Sequence, residues 1–101
     1  MAKLIALYKH PVDKAAFDEH YEKVHTPITA KIPGLREMNV TKFNSTPMGT
    51  ETPYYLMCEM IYDSAEDLKN GLRSPEGKAS GKDLMSFASD IVTLIIGEDA
   101  K

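Results

Sequence analysis

Four stretches of the chain are short, mostly apolar and bounded by residues that favour turns. They comprise residues 3–9, 36–44, 54–62 and 91–96. The third is the clearest, since it carries three tyrosines and follows a polar loop (45–53) with two prolines and a glycine. Short runs of this composition between turn signals predict β-strands.

A helical stripe separates the first two predicted strands. Phe17, Tyr21, Val24 and Ile28 recur at intervals of three or four residues, a spacing that predicts one buried helix face. Asp13 stands just before the stripe and is a suitable N-cap. We therefore predict a helix that begins after Asp13.

The end of this helix carries a signal for an interruption. Thr26 can cap a helix, and Pro27 is favoured at the first helical position. We therefore expect the first helix to bend or break at His25 and a second short helix to begin at Thr26. Pro33 and Gly34 should end the helical region.

The second half of the chain contains two further helix starts. Ser64 and Ser74 are suitable N-caps, and Pro75 follows the second of them. The apolar positions of these helices are Leu68, Leu72, Leu84, Phe87 and Ala88. The element order β-α-β-β-α-β predicts a ferredoxin-like α+β fold, a four-stranded antiparallel sheet with helices on one face. We expect residues 1–101 to form a single domain.

Three of the predicted strands are apolar on both faces. In the last one, Ile91, Thr93 and Ile95 alternate with Val92, Leu94 and Ile96. A sheet covered by helices on one side and water on the other should instead alternate apolar and polar residues. Because no sequence is left over to cover the second face, we expect a homodimer whose sheets pack face to face. The alternative is a monomer with a large exposed apolar face, which is rare.

Composition and charge exclude several classes of partner. The net charge is −3, and the 12 lysines and arginines are scattered, so there is no basic surface typical of nucleic-acid binding. The longest apolar runs are too short to span a bilayer, and the first residues lack a cleavable signal pattern. Cys58 is the single cysteine, which suits a reducing compartment. We expect a cytoplasmic protein without nucleic-acid or membrane partners.

His25 is the leading candidate for chemistry, with Tyr21 as its assistant. The two lie four residues apart and therefore share a helical ridge. Histidine titrates near neutrality and can act as an acid, a base or a hydrogen-bond donor. The structural alternative is a histidine that bonds a backbone carbonyl freed by Pro27.

The neighbouring His20 is predicted to be a partly exposed rim residue. It lies five residues before His25, about 140° around an α-helix at roughly 100° per residue, so the two should not form a paired metal site. Glu22 and His25 match half of a di-iron motif, but a second copy is absent. No nucleotide or haem motif is present, and we expect neither a metal nor a cofactor.

Tyr8, His10, Tyr54 and Glu59 are weaker candidates for contacts with a substrate. Buried tyrosines can line an apolar pocket and offer their hydroxyls, although each is also a common core residue. His10 stands where the first strand ends, where a turn histidine is the alternative. Glu59 is a charged residue in an otherwise apolar strand, so it either pairs with a lysine or arginine or lies in the interior between the two packed sheets.

An ordered set of motifs resembles the EthD family, part of the dimeric α/β-barrel group. The matching residues are Tyr8-Lys9-His10-Pro11, Phe17, Tyr21-x-x-x-His25-x-Pro27, Pro33-Gly34-Leu35, Ser74-Pro75-Glu76-Gly77, Asp83 and Phe87. His20 departs from the pattern. The resemblance implies a ferredoxin-like protomer, a dimer whose sheets form a barrel, and a pocket between sheet and helices with His25 as its most typical residue.

Proteins of the group that this chain resembles act on hydrophobic or aromatic small molecules, often without a cofactor. The resemblance therefore implies a small-molecule site and cofactor-independent oxidoreductase, monooxygenase-like or lyase chemistry with His25 as acid or base. Two alternatives stay open. One is a non-catalytic binding or accessory protein of an oxidative degradation pathway, and the other is a structural dimer with a filled interior.

Overall fold

Four antiparallel strands form a single sheet. The computed structural model describes residues 1–100. The strands are β1 (Ala2–Lys9), β2 (Glu37–Lys42), β3 (Tyr54–Tyr62) and β4 (Val92–Glu98), in the spatial order β2-β3-β1-β4. With two helical regions between them, this arrangement confirms the predicted ferredoxin-like fold.

The helical elements are α1 (Lys14–His20), a π-helical segment (Tyr21–His25), α2 (Thr26–Thr29), α3 (Ala65–Arg73) and α4 (Pro75–Ala88). Three of them, α1, α3 and α4, begin at caps that the sequence predicts, whereas Thr26 does not act as a cap. The side chains of Asp13, Ser64 and Ser74 each accept a backbone N–H of the following turn, as N-caps do. Among the described residues, no helix has the length and apolar character needed to cross a membrane.

The chain stays helical from α1 to the end of α2, so the first helix does not break at His25, although a short helix, α2, begins at Thr26 as predicted. Thr26 has helical backbone angles of φ −60° and ψ −47°, and its N–H bonds the carbonyl of Tyr21. This i→i+5 bond defines a π-turn, which accommodates one more residue than an α-turn. The helix therefore absorbs the sequence around Pro27 by widening instead of ending.

The π-helical segment also changes which residues are buried. The predicted stripe placed Val24 inside, but its side chain is 40% exposed, and Ile28 is only half-buried. The buried positions are instead Phe17, Tyr21, His25 and Thr29, each four residues after the last. The wider turn thus brings a histidine and a threonine to the buried face of the helix.

All helices cover one face of the sheet, as predicted. Ala2, Leu4, Ala6 and Tyr8 of β1 point toward them, together with Leu56, Cys58, Met60 and Tyr62 of β3. Ile5 and Leu7 point to the other face, and Ile5 pairs with Ile95 of β4. Among the described residues no helix covers this second face, and Ile95 is 47% exposed.

Candidate functional site

A cavity of about 230 Å³ lies between the sheet and the helices. Leu4, Ala6 and Met60 supply its apolar floor from the sheet. Its polar atoms come mainly from the helical side, where His25, Thr26, Thr29 and Ser80 line it. The cavity opens toward β4, since the lining residues Leu94 and Ile96 are 45% and 57% exposed.

Three of the predicted site residues meet at this cavity. His25, Tyr21 and Tyr8 all line it. The Tyr8 and Tyr21 rings contact each other edge to face, with centroids 5.7 Å apart. Cys58 also lines the cavity and is buried.

The other three predicted residues lie away from the cavity. His10 Nε2 is 2.7 Å from the carbonyl oxygen of Thr52, a contact that ties the loop before β3 to the end of β1. Tyr54 starts β3 opposite Lys9, and it is not among the residues that line the cavity. Glu59 occupies the uncovered face of the sheet and lies 3.9 Å from the ammonium of Lys3.

The centre of the site is a hydrogen bond between His25 and Asp83. His25 Nδ1 lies 2.9 Å from Asp83 Oδ2, and both side chains are largely buried, with exposed fractions of 8% and 13%. Asp83 stands on α4, so the bond joins the two helical regions of the fold. Within residues 1–100 the ring nitrogens of His25 bond side chains and not the backbone, so the structural role considered for it is not the one found.

His20 reaches the same carboxylate. Its Nε2 is 3.0 Å from Asp83 Oδ1 and 3.1 Å from Oδ2. The expected 140° between His20 and His25 is wrong, because that angle assumes α-helical turns. In the π-helical segment residues five apart are one turn apart, so both imidazoles face α4.

The hydrogen bonds fix the tautomer of His25. A carboxylate only accepts, so Nδ1 carries the proton that Asp83 accepts, and Nε2 has a free lone pair. Nε2 accepts from the Thr29 hydroxyl at 3.3 Å, and Thr29 Oγ1 is 2.7 Å from the Ser80 hydroxyl. His25, Thr29 and Ser80 all line the cavity, so a basic nitrogen and two hydroxyls face its interior.

Burial controls the protonation states at the site. Burial lowers the pKa of His25 below its ordinary value, and the hydrogen bond to Asp83 opposes this shift in part. Burial raises the pKa of the Tyr8 and Tyr21 hydroxyls and that of the Cys58 thiol. At neutral pH the site therefore holds a neutral imidazole, tyrosine hydroxyls that can donate, and an unreactive thiol.

The lowered pKa of His25 predicts a loss of stability in acid. Below the ordinary histidine pKa of about 6.5 the unfolded chain binds a proton that the folded His25 resists. The free energy of unfolding should therefore fall as the pH drops below about 6.5, until the folded His25 itself becomes protonated. Chemical denaturation between pH 7 and pH 5 should show a shallower pH slope for His25→Gln than for the wild type. Equal pH slopes for His25→Gln and the wild type would contradict the lowered pKa of His25. His10→Gln serves as a control for the loss of a histidine elsewhere in the protein.

Sequence reasoning missed three residues of the site. Asp83 entered only as one residue of the family pattern, and Thr29 and Ser80 were not considered. Thr29 could have been found by extending the ridge of Tyr21 and His25 by four residues. Ser80 gives no comparable signal, because only the packing of α4 against the first helix brings it to Thr29.

No group of three or more His, Cys, Asp or Glu side chains within residues 1–100 is arranged to hold a metal ion. The prediction that the protein uses neither a metal nor a cofactor stays a prediction.

Comparison with known proteins gives one matching family model and close relatives. The model described as the EthD domain matches residues 9–91. A solved structure described as an EthD family protein from Bacillus halodurans is 59% identical, with 99% of both chains covered and a TM-score of 0.95. An uncharacterized 11.0 kDa protein from the thcB-thcC intergenic region of Rhodococcus erythropolis is 31% identical over 98% of this chain and 95% of its own.

More distant structures share the fold alone. A dimeric protein of unknown function and ferredoxin-like fold from Bacteroides fragilis is 21% identical, covering 97% of this chain and 95% of its own, with a TM-score of 0.65. SnoaB from Streptomyces nogalater, described as a cofactor-independent oxygenase, is 9% identical, covering 99% and 92%, with a TM-score of 0.67.

Proposed function

This chain belongs to the EthD family, and we propose that it is an enzyme in which His25 acts as a general base. The observation that carries this proposal is the bond from His25 Nδ1 to Asp83 at 2.9 Å. It leaves Nε2 unprotonated at the wall of an apolar cavity. A carboxylate in this position orients the imidazole and stabilises the imidazolium that forms when Nε2 takes a proton.

The lining of the cavity indicates the class of substrate. None of the described residues that line it is Lys, Arg, Asp or Glu, and a charged ligand would lose its hydration without gaining an opposite charge. An apolar cavity of roughly 150 Å³ holds benzene, whereas this one measures about 230 Å³. We infer a neutral, mostly apolar molecule of about one substituted ring, with a single hydrogen-bonding end.

The polar atoms are placed for removal of a weakly acidic proton. A substrate O–H or activated C–H would transfer its proton to His25 Nε2, in place of the long bond from Thr29. The negative charge left on the substrate would be stabilised by the Tyr21 hydroxyl and by the one free hydroxyl proton of the Thr29–Ser80 pair, which can donate to it. Such an anion is a first intermediate of cofactor-independent oxygenation and of isomerisation. SnoaB, which shares the fold, is described as an oxygenase of this kind.

The same cavity would also suit a non-catalytic binding protein, and its mostly apolar lining is the observation that favours this second function. Native mass spectrometry of the purified protein, combined with analysis of its organic extract, would identify a retained ligand. Conversion of that ligand by the protein supports the enzyme, whereas stoichiometric binding without any conversion supports the carrier.

The cytoplasmic location predicted from the single cysteine stays a prediction.

We also propose that the protein is a homodimer whose uncovered sheet faces pack together. Ile5, Leu7 and Met57 point to that face and are half-buried, and Ile95 beside them is 47% exposed. A contiguous exposed apolar surface of this kind is typical of an interface. The Bacteroides fragilis structure with the same fold is described as dimeric.

A lysine in the middle of this face should abolish the dimer. Ile95→Lys would place a charge between two apolar sheets, where it has no partner and loses its hydration. We expect a monomer or an aggregate by light scattering coupled to size exclusion. Val12→Lys replaces a fully exposed apolar residue away from the sheet and should leave the dimer intact. Dimers of normal size for both Ile95→Lys and Leu7→Lys would contradict the face-to-face packing.

A further inference from the structure

The Asp83 carboxylate is shared by the imidazoles of His25 and His20. A base at His25 requires the carboxylate but does not require the second histidine. Asp83 Oδ2 lies 2.9 Å from His25 Nδ1, and both Asp83 oxygens lie within 3.1 Å of His20 Nε2. The His20 side chain is 33% exposed, against 8% for His25. His20 therefore stands between the buried His25–Asp83 pair and the solvent.

One carboxylate stabilises one imidazolium much better than two. When both histidines carry a proton on each nitrogen, two positive charges share a single negative charge and repel each other. Groups coupled in this way titrate as a pair, in two steps. The first proton goes to the histidine whose charged form is better hydrated, because burial disfavours the charged form. By exposure, that histidine is His20.

Four exposed charged side chains lie on the solvent side of His20. Asp13, before α1, and Asp90, after α4, line a surface hollow that His20 borders. Glu19 and Lys23 line a second hollow beside it, and these two lie 3.6 Å apart, so their charges largely cancel. The Phe87 ring also packs against His20, with its centroid 4.4 Å from that of His20.

His25 lacks comparable support for a charge. Its ring packs against Tyr21 and Phe87, with centroids 5.7 Å and 5.3 Å away. Its Nε2 faces the hydroxyl of Thr29 and the apolar cavity. Asp83 is the one carboxylate bonded to it among the described residues, and His20 competes for that carboxylate.

We propose that His20 is a positioning residue that takes the first proton of this pair and so keeps His25 in the neutral form with a free Nε2. As His20 gains its proton it also holds Asp83 through a charge-assisted hydrogen bond, which keeps the carboxylate aligned with His25 Nδ1. The role deepens the proposed function, since it rests on His25 acting as a base. The charge on His20 therefore extends toward lower pH the range in which His25 is available as a base.

A pH titration followed by NMR of ¹⁵N-histidine-labelled wild-type protein tests the proposal without a substrate. The ¹⁵N shifts report the tautomer and the protonation of each ring. We expect His20 to become protonated at a higher pH than His25. A wild-type protein in which His25 becomes protonated first would overturn the proposal, and this arm needs no variant.

A matched pair of variants isolates the charge of His20. His20→Gln retains an N–H that can donate to Asp83 but carries no charge. We expect the midpoint of His25 to rise by about half a pH unit or more, which is about a three-fold larger protonated fraction at a given pH above the midpoint. Lys23→Gln removes a nearby exposed charge and should leave the midpoint where it was. An unchanged or lowered His25 midpoint in His20→Gln would overturn the proposal.

The proposed enzyme function and the proposed role of His20 would fail in different ways. If the protein is not an enzyme, turnover is absent while the titration order and the His20→Gln shift persist. If His20 has only a structural role, turnover depends on His25 but the His25 midpoint does not respond to His20→Gln.

Discussion

His25→Gln is expected to lower turnover of the native substrate by about 10²–10⁴-fold, the usual contribution of a general base. Glutamine fills a similar volume and can still bond Asp83, but it has no lone pair that can accept a proton at neutral pH. Affinity for the substrate should change little, because most of the contact area comes from apolar residues such as Leu4 and Met60. The loss should therefore appear in kcat and not in KM.

Asp83→Asn provides a second and independent test of the same pair. The asparagine amide can donate to His25 Nδ1, which would favour the tautomer that carries its proton on Nε2 and would remove the base. We expect a loss similar to that of His25→Gln, and no additive loss in the double variant, because the residues act as one unit. His10→Gln, remote from the cavity, should retain full turnover. Retained turnover in both His25→Gln and Asp83→Asn would refute the role of the pair.

Gly77→Ala is expected to cost about 3 kcal/mol of stability or to prevent folding. A Cβ at Gly77 would lie 2.2 Å from the carbonyl oxygen of Gly71 and 2.7 Å from the backbone of Leu72. These are backbone atoms of α3, so no side-chain rotation can relieve the contact. α4 would have to move away from α3, and the cavity wall that contains Ser80 would move with it.

Gly81→Ala is the matched control for this effect. Gly81 lies one helical turn after Gly77 on α4 and also lines the cavity, but a Cβ there would meet nothing within 4 Å. Because alanine favours helix over glycine, this variant should gain about 0.5–1 kcal/mol. Urea denaturation of both variants gives the comparison. Equal stabilities for Gly77→Ala and Gly81→Ala would show that α3 and α4 do not approach as closely as described.

The fold was predictable because its signals are local. The strand of residues 54–62 was predicted with the observed bounds, and the caps at Ser64 and Ser74 mark the true helix starts. β2 is shorter than predicted, at Glu37–Lys42, since turn composition sets strand ends only loosely. The single-domain organisation over residues 1–101 stays a prediction.

The site was predictable only in part, because it depends on a π-turn. His25 and Tyr21 were found from their spacing of four residues. His20 was set aside by an angle that holds for an α-helix and fails for a π-helix. A π-turn has no strong signature in a single sequence, so the meeting of His20 and His25 at Asp83 required the three-dimensional structure.

The central claim is that the cavity beside His25 binds a small neutral molecule, and binding of phenol tests it most directly. Phenol is a neutral ring with one weakly acidic proton, and benzoate is a charged molecule of similar size. We would follow the methyl groups of Leu4, Met60 and Leu84, all of which line the cavity, and the imidazole of His25 by NMR.

We predict that phenol shifts these signals in a saturable way and that benzoate does not. Gly81→Leu should weaken the phenol response, because its side chain would occupy the open space at the cavity wall. Ala79→Leu, at an exposed position of α4 outside the cavity lining, should leave the response unchanged. Phenol that leaves the cavity methyls unperturbed, or benzoate that shifts them equally, would contradict the claim.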